Sequence, residues 1–135
     1  MILDTSVIAK WFLEEEDTEK ALKIRDRYVR GEINIEIPDL LLYELANVLM
    51  YKGYTGEEIK KAIKSIYDMG FLIISPSPVV MDLATEIALK ARITIYDATY
   101  VALAHYFDTE VVTADKKLYE KTKDIEKVVL LSKIQ

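Results

Sequence analysis

The chain has 135 residues, of which 51% are hydrophobic, and its mean hydropathy of +0.08 fits one folded domain spanning residues 1–135. It contains no cysteine and a single histidine, which excludes disulfides, thiol catalysis and cysteine-ligated zinc and disfavours a histidine-based metal site or catalytic triad. Its formal net charge of −5 excludes nucleic-acid binding through gross positive charge.

The first half of the chain is predicted to alternate short apolar strands with helices. In chain order, the predicted elements are a strand at 1–3, a helix from 17 to about 30, a strand at 33–37 and a helix at 40–51. Asp17 and Asp39 stand at the predicted N-caps, where an aspartate accepts hydrogen bonds from the free amides of the first turn. The second helix contains the run LLLYELANVLM, which is apolar almost all round and is therefore predicted to be buried.

The second half continues the alternation. Thr55 and Glu58 form a capping-box pattern, and Ser77 before Pro78 is typical of an N-cap followed by the first helical residue. The predicted elements are helices at 55–69, 77–91, 98–107 and 116–122 and strands at 71–74, 110–113 and 128–131. This order predicts an α/β fold with a mainly parallel sheet between helical layers, and such folds bind ligands at the carboxyl ends of their strands.

The N-terminal run MILDTSVIAKWFLEEE has no basic segment before its apolar residues, and Asp4 interrupts those residues, so it is not typical of a signal peptide. No stretch approaches the roughly 20 apolar residues that span a bilayer. We therefore expect a cytoplasmic protein without membrane contact.

Three aspartates lie at the predicted ligand-binding edge of the sheet. Asp4 follows the first strand, Asp115 follows the strand at 110–113 after one alanine, and Asp97 opens the helix that begins in TIYDATYVALA. Helix capping is the ordinary alternative for Asp97 and Asp115, and a turn is the alternative for Asp4. Taken singly, Asp97 and Asp115 are better explained as caps.

Glu44 lies within the apolar helix at 40–51. A carboxylate on a buried helix costs several kcal/mol unless it is paired or coordinated. A salt bridge to Lys10 or Lys52 would satisfy it without any functional role. If Glu44 instead joins the three aspartates, the cluster needs a counter-charge, and oxygen ligands without histidine or cysteine favour Mg²⁺ or Mn²⁺.

Four segments, in this order, carry a resemblance to a known family: MILDTSVIAKWFLEEE, PDLLLYELANVL, IYDATYVALA and VVTADKKL. They resemble the PIN domain and, more closely, the VapC-type toxins of prokaryotic toxin–antitoxin pairs, over essentially the whole chain. The resemblance implies a central parallel sheet of about five strands in the order 3-2-1-4-5, with helices on both faces.

The resemblance also implies a site. The residues that match the acidic quartet of the family are Asp4, Glu44, Asp97 and Asp115. By this resemblance, Asp4 and Asp97 are the principal ligands of Mg²⁺ or Mn²⁺, while the other two complete the site directly or through water. Ser6 and Thr113 match positions where the family keeps a small polar side chain, and we expect them to support the cluster.

The activity implied is that of a metal-dependent endoribonuclease acting on single-stranded or looped RNA, in which water attacks phosphorus and the ribose 3′ oxygen leaves. Relatives are usually homodimers, and the toxins bind a cognate antitoxin whose C-terminal segment lies in the acidic groove. A net charge of −5 suits such a basic partner.

Two interpretations from other families each fail at a specific residue. A haloacid-dehalogenase-like phosphatase needs a second aspartate where Ser6 stands, and a response-regulator receiver needs an aspartate at a later strand end, which the run FLIIS does not offer. A non-catalytic PIN module that binds RNA or protein, or an RNA-processing PIN nuclease without a toxin role, stays open.

Overall fold

A computed structural model describes residues 1–135. The strands are β1 (Ile2–Leu3), β2 (Glu36–Pro38), β3 (Leu72–Ile74), β4 (Val111–Thr113) and β5 (Val128–Leu130). The helices are α1 (Thr5–Ile8), α2 (Thr18–Val29), α3 (Leu40–Tyr51), α4 (Gly56–Asp68), α5 (Pro78–Ala91), α6 (Ile95–Tyr106) and α7 (Lys116–Lys121). Two short 3₁₀ turns occupy Ala9–Trp11 and Leu131–Lys133.

The five strands form one parallel sheet in the order β3-β2-β1-β4-β5, which confirms the predicted architecture. In the central pair, Ile2 is in register with Val111 and Leu3 with Val112. Because all strands point the same way, their carboxyl ends lie at one edge of the sheet. The residues that follow β1 and β4 therefore meet at that edge.

The centre of the sheet is covered on both faces. Ile2 and Leu3 are fully buried, and so is every residue of β4; successive residues of a strand face opposite sides. Helix α6 packs against β1, β2 and β4 and is the buried helix of the fold, with an unbroken run of buried residues from 98 to 104. No helix is both long and apolar enough to cross a bilayer.

Helix α3 was expected to be buried, and this expectation is wrong. Its buried residues are a single stripe of Leu41, Leu45 and Leu49, spaced one turn apart. On its other side the side chains of Tyr43 and Met50 are 75% and 58% exposed. An apolar composition does not show which sides of a helix are packed against the rest of the fold, which is why the sequence overstated the burial.

Two predicted caps are also wrong. Asp17 has a left-handed backbone and makes no capping bond with its side chain, and the Asp39 side chain instead accepts a hydrogen bond from Ser75 at 3.2 Å. Helix α6 begins at Ile95 rather than 98, because Thr94 is its N-cap. The sequence pattern alone did not show which polar residue before a helix caps it with its side chain.

Other helix starts follow the sequence. The capping box of Thr55 and Glu58 is present in both directions, and Ser77 caps α5 with Pro78 in the first turn. Helix α1 was not predicted. It begins immediately after Asp4, whose side chain caps it, so the chain turns sharply at the end of β1.

We expect Thr94→Ala to lower the free energy of unfolding by about 1 kcal/mol, because the first turn of α6 loses its cap. Thr85→Ala is the matched control, since Thr85 is an exposed residue within α5 and alanine is the better helix former. Urea denaturation measures both. Equal stabilities of the two variants would contradict a helix start at Thr94.

Candidate active site

Asp4 and Asp115 lie at the carboxyl ends of the paired strands β1 and β4, and each caps the helix that follows. Asp4 Oδ1 accepts a hydrogen bond from the Val7 amide at 3.3 Å, and Asp115 Oδ1 accepts one from the Leu118 amide at 3.1 Å. The capping interpretation is therefore correct for Asp115, and Asp4 also caps a helix, where the alternative considered was a turn. Because each capping bond uses one carboxylate oxygen, it does not exclude a second role.

Asp97 is not a cap. It is the third residue of α6, and its backbone amide donates to the hydroxyl of Thr94 at 3.1 Å. Its side chain is half-buried near the same edge of the sheet. An acidic residue in the first turn is favoured by the free amides of a helix N-terminus, so this position can hold a negative charge.

Glu44 is held by hydroxyl groups and not by a cation. Its Oε1 accepts hydrogen bonds from Tyr100 at 2.5 Å and from Thr5 at 2.9 Å. The two lysines considered as partners both pair with Glu15 instead, Lys10 at 3.5 Å and Lys52 at 3.8 Å. The salt-bridge interpretation of Glu44 is therefore wrong.

The carboxylate of Asp4 is the most buried of the four, with 6% of its residue surface exposed. Burial raises its pKa to about 6, and the charge of Asp97 acts in the same direction. Hydrogen bonds from Ser6, Thr113 and the Val7 amide lower the pKa but do not cancel the effect of burial. Asp4 is thus costly to ionise, although it is ionised at neutral pH.

Ser6 and Thr113 join the ends of β1 and β4 around Asp4. Ser6 Oγ donates to Asp4 Oδ1 at 2.5 Å and accepts from the amide of Ala114 at 2.8 Å. Thr113 Oγ1 lies 3.4 Å from Ser6 Oγ and accepts from the amide of Asp115 at 3.1 Å. Both hydroxyls therefore link the backbone at the two strand ends that carry aspartates.

The four carboxylates act on one another electrostatically. The pKa of Asp97 is raised first by burial and then by the charges of Glu44 and Asp115. None of the four forms a salt bridge with a lysine or arginine. A cluster of like charges without a paired side-chain cation suits a divalent metal, and its all-oxygen donor set suits Mg²⁺ or Mn²⁺.

No three acidic or histidine side chains stand in a metal-holding arrangement in this structure. The hydrogen bonds of Asp4 and Asp115 hold these carboxylates against their own helices. Joint ligation of one ion by three carboxylates is therefore not represented in this arrangement of side chains. The fit to a divalent ion rests on the chemistry of the oxygen donors and on their mutual charge effects.

An open cleft lies above the cluster, between α1 and α3. Its lining residues are Thr5, Ser6, Ala9, Lys10, Glu15, Glu44, Val48, Ala114 and Asp115. Lys10 is the one basic residue among them. Asp4 and Asp97 are not part of the lining, so the cleft exposes Glu44 and Asp115 directly.

Two residues of the site were missed by the sequence analysis, namely Thr5 and Tyr100, which contact Glu44. Burial and the negative charge of Glu44 raise the pKa of Tyr100 far above its usual range, so the phenol remains a hydrogen-bond donor. A signal was available in the sequence, because Thr5 adjoins Asp4 and Tyr100 lies one helical turn after Asp97. Only the fold shows that both reach Glu44.

The sequence matches a known family over most of its length. The family model described as PIN domain matches residues 1–124. The chain belongs to the PIN-domain family. Ribonuclease VapC3 of Pyrobaculum aerophilum is 32% identical over 127 residues, covering 90% of this chain and 93% of that protein. The resemblance to VapC-type proteins is thereby confirmed.

One further sequence relative and one solved structure are also similar to this chain. Exonuclease VapC9 of Pyrobaculum aerophilum is 26% identical over 106 residues, covering 73% of this chain and 74% of that protein. A solved structure of a toxin–antitoxin complex from Klebsiella pneumoniae superimposes with a TM-score of 0.74 at 16% identity, covering 98% of both chains. At that identity the superposition supports the PIN fold alone.

We expect Asp4→Asn to stabilise the metal-free protein at neutral pH. The folded-state pKa of Asp4 is raised to about 6, so its contribution to stability is present at low pH and is lost as the pH rises through 6. Asparagine avoids this loss and can still accept the bond from Ser6. In EDTA, the gain should be about 1–3 kcal/mol at pH 7.5 and should shrink at pH 4.5.

Urea denaturation at the two pH values measures this difference. Asp82→Asn is the control, because it makes the same chemical change at an exposed position of α5. A stability difference between Asp4→Asn and wild type that does not vary with pH would contradict the raised pKa.

Proposed function

We propose that this PIN-domain protein is a metal-dependent ribonuclease that hydrolyses phosphodiester bonds of RNA, with Asp4, Glu44, Asp97 and Asp115 as its catalytic quartet. The observation that carries the proposal is the grouping of these four carboxylates at the carboxyl edge of the sheet without a paired side-chain cation. The identity to Ribonuclease VapC3 over most of both chains supports the same reaction class.

The residues that would hold Mg²⁺ or Mn²⁺ are Asp4 and Asp97, completed by Glu44 and Asp115 directly or through water. When bound, such an ion lowers the pKa of a coordinated water and stabilises charge that develops on a phosphate. Ser6 fixes the orientation of the Asp4 carboxylate and ties it to the backbone after β4. Thr113 supports the same junction between the two strands.

RNA would enter by the open cleft between α1 and α3. Lys10 is the basic residue on its lining and can contact a phosphate, while its pairing with Glu15 at 3.5 Å keeps it near the rim. An open cleft supports cleavage within a chain, so we favour an endoribonuclease. The relative Exonuclease VapC9 favours the alternative of cleavage from an end, and a circular RNA substrate distinguishes the two.

An antitoxin partner fits the charge of the cleft. The solved relative from Klebsiella pneumoniae is described as a toxin–antitoxin complex. In this chain the cleft presents Glu15, Glu44 and Asp115 against one lysine, so it would attract a basic peptide segment. We therefore propose that the protein is the toxin of a type II pair, held inactive by a cognate antitoxin at the cleft.

A second copy of the chain would occupy a different surface, which we call the α3–α4 face. Its lining residues are Asp39, Leu42, Tyr43, Ala46, Asn47, Met50, Ile59, Ile63, Tyr67 and Ile73. Eight of these ten residues are hydrophobic and only Asp39 is charged, so a copy of the same face would bury mainly apolar surface against it, as a two-fold interface requires. We propose that the protein forms a homodimer through it.

The ribonuclease proposal is tested with end-labelled linear RNA and circular RNA of the same sequence, in Mn²⁺, in Mg²⁺ and in EDTA. We expect cleavage of both RNAs by the wild type with either metal, no cleavage in EDTA, and loss of cleavage in Asp4→Asn. Asp82→Asn is the matched control and should remain active. Binding of Mn²⁺, followed as a rise in melting temperature, should be lost in the Asp4→Asn, Asp97→Asn double variant.

Each contrary result has a distinct meaning. Wild-type protein that binds no Mn²⁺ and cleaves nothing would support the non-catalytic PIN module. Cleavage of linear RNA alone would replace the endonuclease with an exonuclease. Activity that persists in Asp4→Asn would remove that residue from the quartet.

We expect Met50→Glu to convert the dimer into a monomer, because it places a charge and its two-fold copy within the α3–α4 face. Leu89→Glu is the control, since Leu89 on α5 is 77% exposed against 58% for Met50. Size-exclusion chromatography with light scattering gives the mass of each variant. Dissociation by Leu89→Glu but not by Met50→Glu would place the interface on α5 instead.

A further inference from the structure

Glu44 shares one small polar cluster with two hydroxyl groups. The Tyr100 hydroxyl lies 2.5 Å from Glu44 Oε1, the Thr5 hydroxyl lies 2.9 Å from the same oxygen, and the two hydroxyls lie 2.9 Å from each other. Tyr100 is 2% exposed and Thr5 is 9% exposed. Tyr100 therefore forms the buried side of the cluster, while Thr5 and Glu44 border the cleft.

Both hydroxyls act on the same carboxylate oxygen. Two protons serve three close contacts, so one edge of the triangle lacks a hydrogen whenever both hydroxyls donate to Glu44. The bonds are charge-assisted when the carboxylate is ionised, and such bonds are stronger than those between neutral groups. Their common target is Oε1, which leaves Oε2 of Glu44 available to the cleft.

The cluster connects the elements that carry the other carboxylates. Thr5 is the first residue of α1 and directly follows Asp4, while Tyr100 lies one turn after Asp97 on α6. Glu44 stands on α3, which contributes no other carboxylate to the quartet. The only side-chain hydrogen bonds to Glu44 come from Thr5 and Tyr100, so its orientation relative to Asp4 and Asp97 depends on these two hydroxyls.

We propose that Tyr100 and Thr5 are positioning residues that set the orientation of the Glu44 carboxylate at the metal centre. This inference rests on the proposed function, because it assigns a role relative to the catalytic quartet. Neither residue is one of the proposed metal ligands, and both act through Glu44. Removing the Tyr100 hydroxyl leaves the ring in the core and leaves Thr5 as the only side-chain donor to Glu44.

The decisive experiment is a double-mutant cycle between Tyr100→Phe and Glu44→Gln, with kcat, KM for RNA and Mn²⁺ affinity measured for each protein. Tyr100→Phe alone should lower kcat or Mn²⁺ affinity by about 10- to 100-fold, the usual range for residues that orient metal ligands, with little change in KM. In the Glu44→Gln background, Tyr100→Phe should have no further effect, because the group it positions is gone.

Two matched controls separate positioning from packing. Tyr28→Phe also removes a part-buried phenol, one that donates to the carbonyl of Met69 at 2.8 Å away from the cleft, and should leave kcat unchanged. Thr5→Val should lower kcat, and Thr5→Ser, which restores the hydroxyl, should recover most of it. Melting temperatures establish that each variant is folded.

The inference is overturned if Tyr100→Phe leaves both kcat and Mn²⁺ affinity unchanged, or if its effect and that of Glu44→Gln multiply independently. Failure of the proposed function is distinct, because it is seen in the wild type as absence of Mn²⁺ binding and of cleavage. If the wild type binds Mn²⁺ but cleaves none of the RNAs, the double-mutant cycle is read from Mn²⁺ affinity alone. An unchanged affinity in Tyr100→Phe then overturns the inference.

Discussion

Mutual repulsion among the carboxylates at the edge of the sheet is the constraint on which the site depends. The fold offsets part of it without a salt bridge to lysine or arginine. Asp4, Asp97 and Asp115 each lie at the N-terminus of a helix, where free amides favour negative charge. The Glu44 carboxylate instead accepts hydrogen bonds from two hydroxyl groups. The pKa values of Asp4 and Asp97 are nevertheless raised, first by burial and then by the charges of neighbouring carboxylates, and a divalent cation would oppose both effects.

Most of the fold could be predicted from sequence because its elements are short and clearly bounded. Alternating apolar strands and helices gave the parallel sheet, and the capping box at Thr55 gave the start of α4. The errors arose where tertiary contacts decide. Two helices have similarly apolar sequences, yet α6 crosses the centre of the sheet and is buried, whereas α3 buries one stripe. Periodicity within a helix does not report what packs against it.

The residues of the candidate site differed in how far the sequence could predict them. Asp4 and Asp115 follow directly from their positions after strands, and the register of β1 with β4 explains why they meet. Glu44 was singled out from the expected burial of α3, a premise that the structure contradicts, although the family motif names the same residue. Thr5 and Tyr100 could not be assigned, because their contact with Glu44 joins residues that are distant in the chain.

Helix α3 presents two neighbouring side chains to different surroundings. Tyr43 lies on the α3–α4 face and Glu44 lines the cleft, and the backbone between them is one rigid helical segment. A displacement of Tyr43 along or around the helix axis therefore displaces Glu44 with it. A shift of about 1 Å in a group that acts on the reacting atoms can cost roughly a hundredfold in rate. The proposed role of Glu44 thus makes the packing on the opposite side of α3 part of the geometry of the cleft.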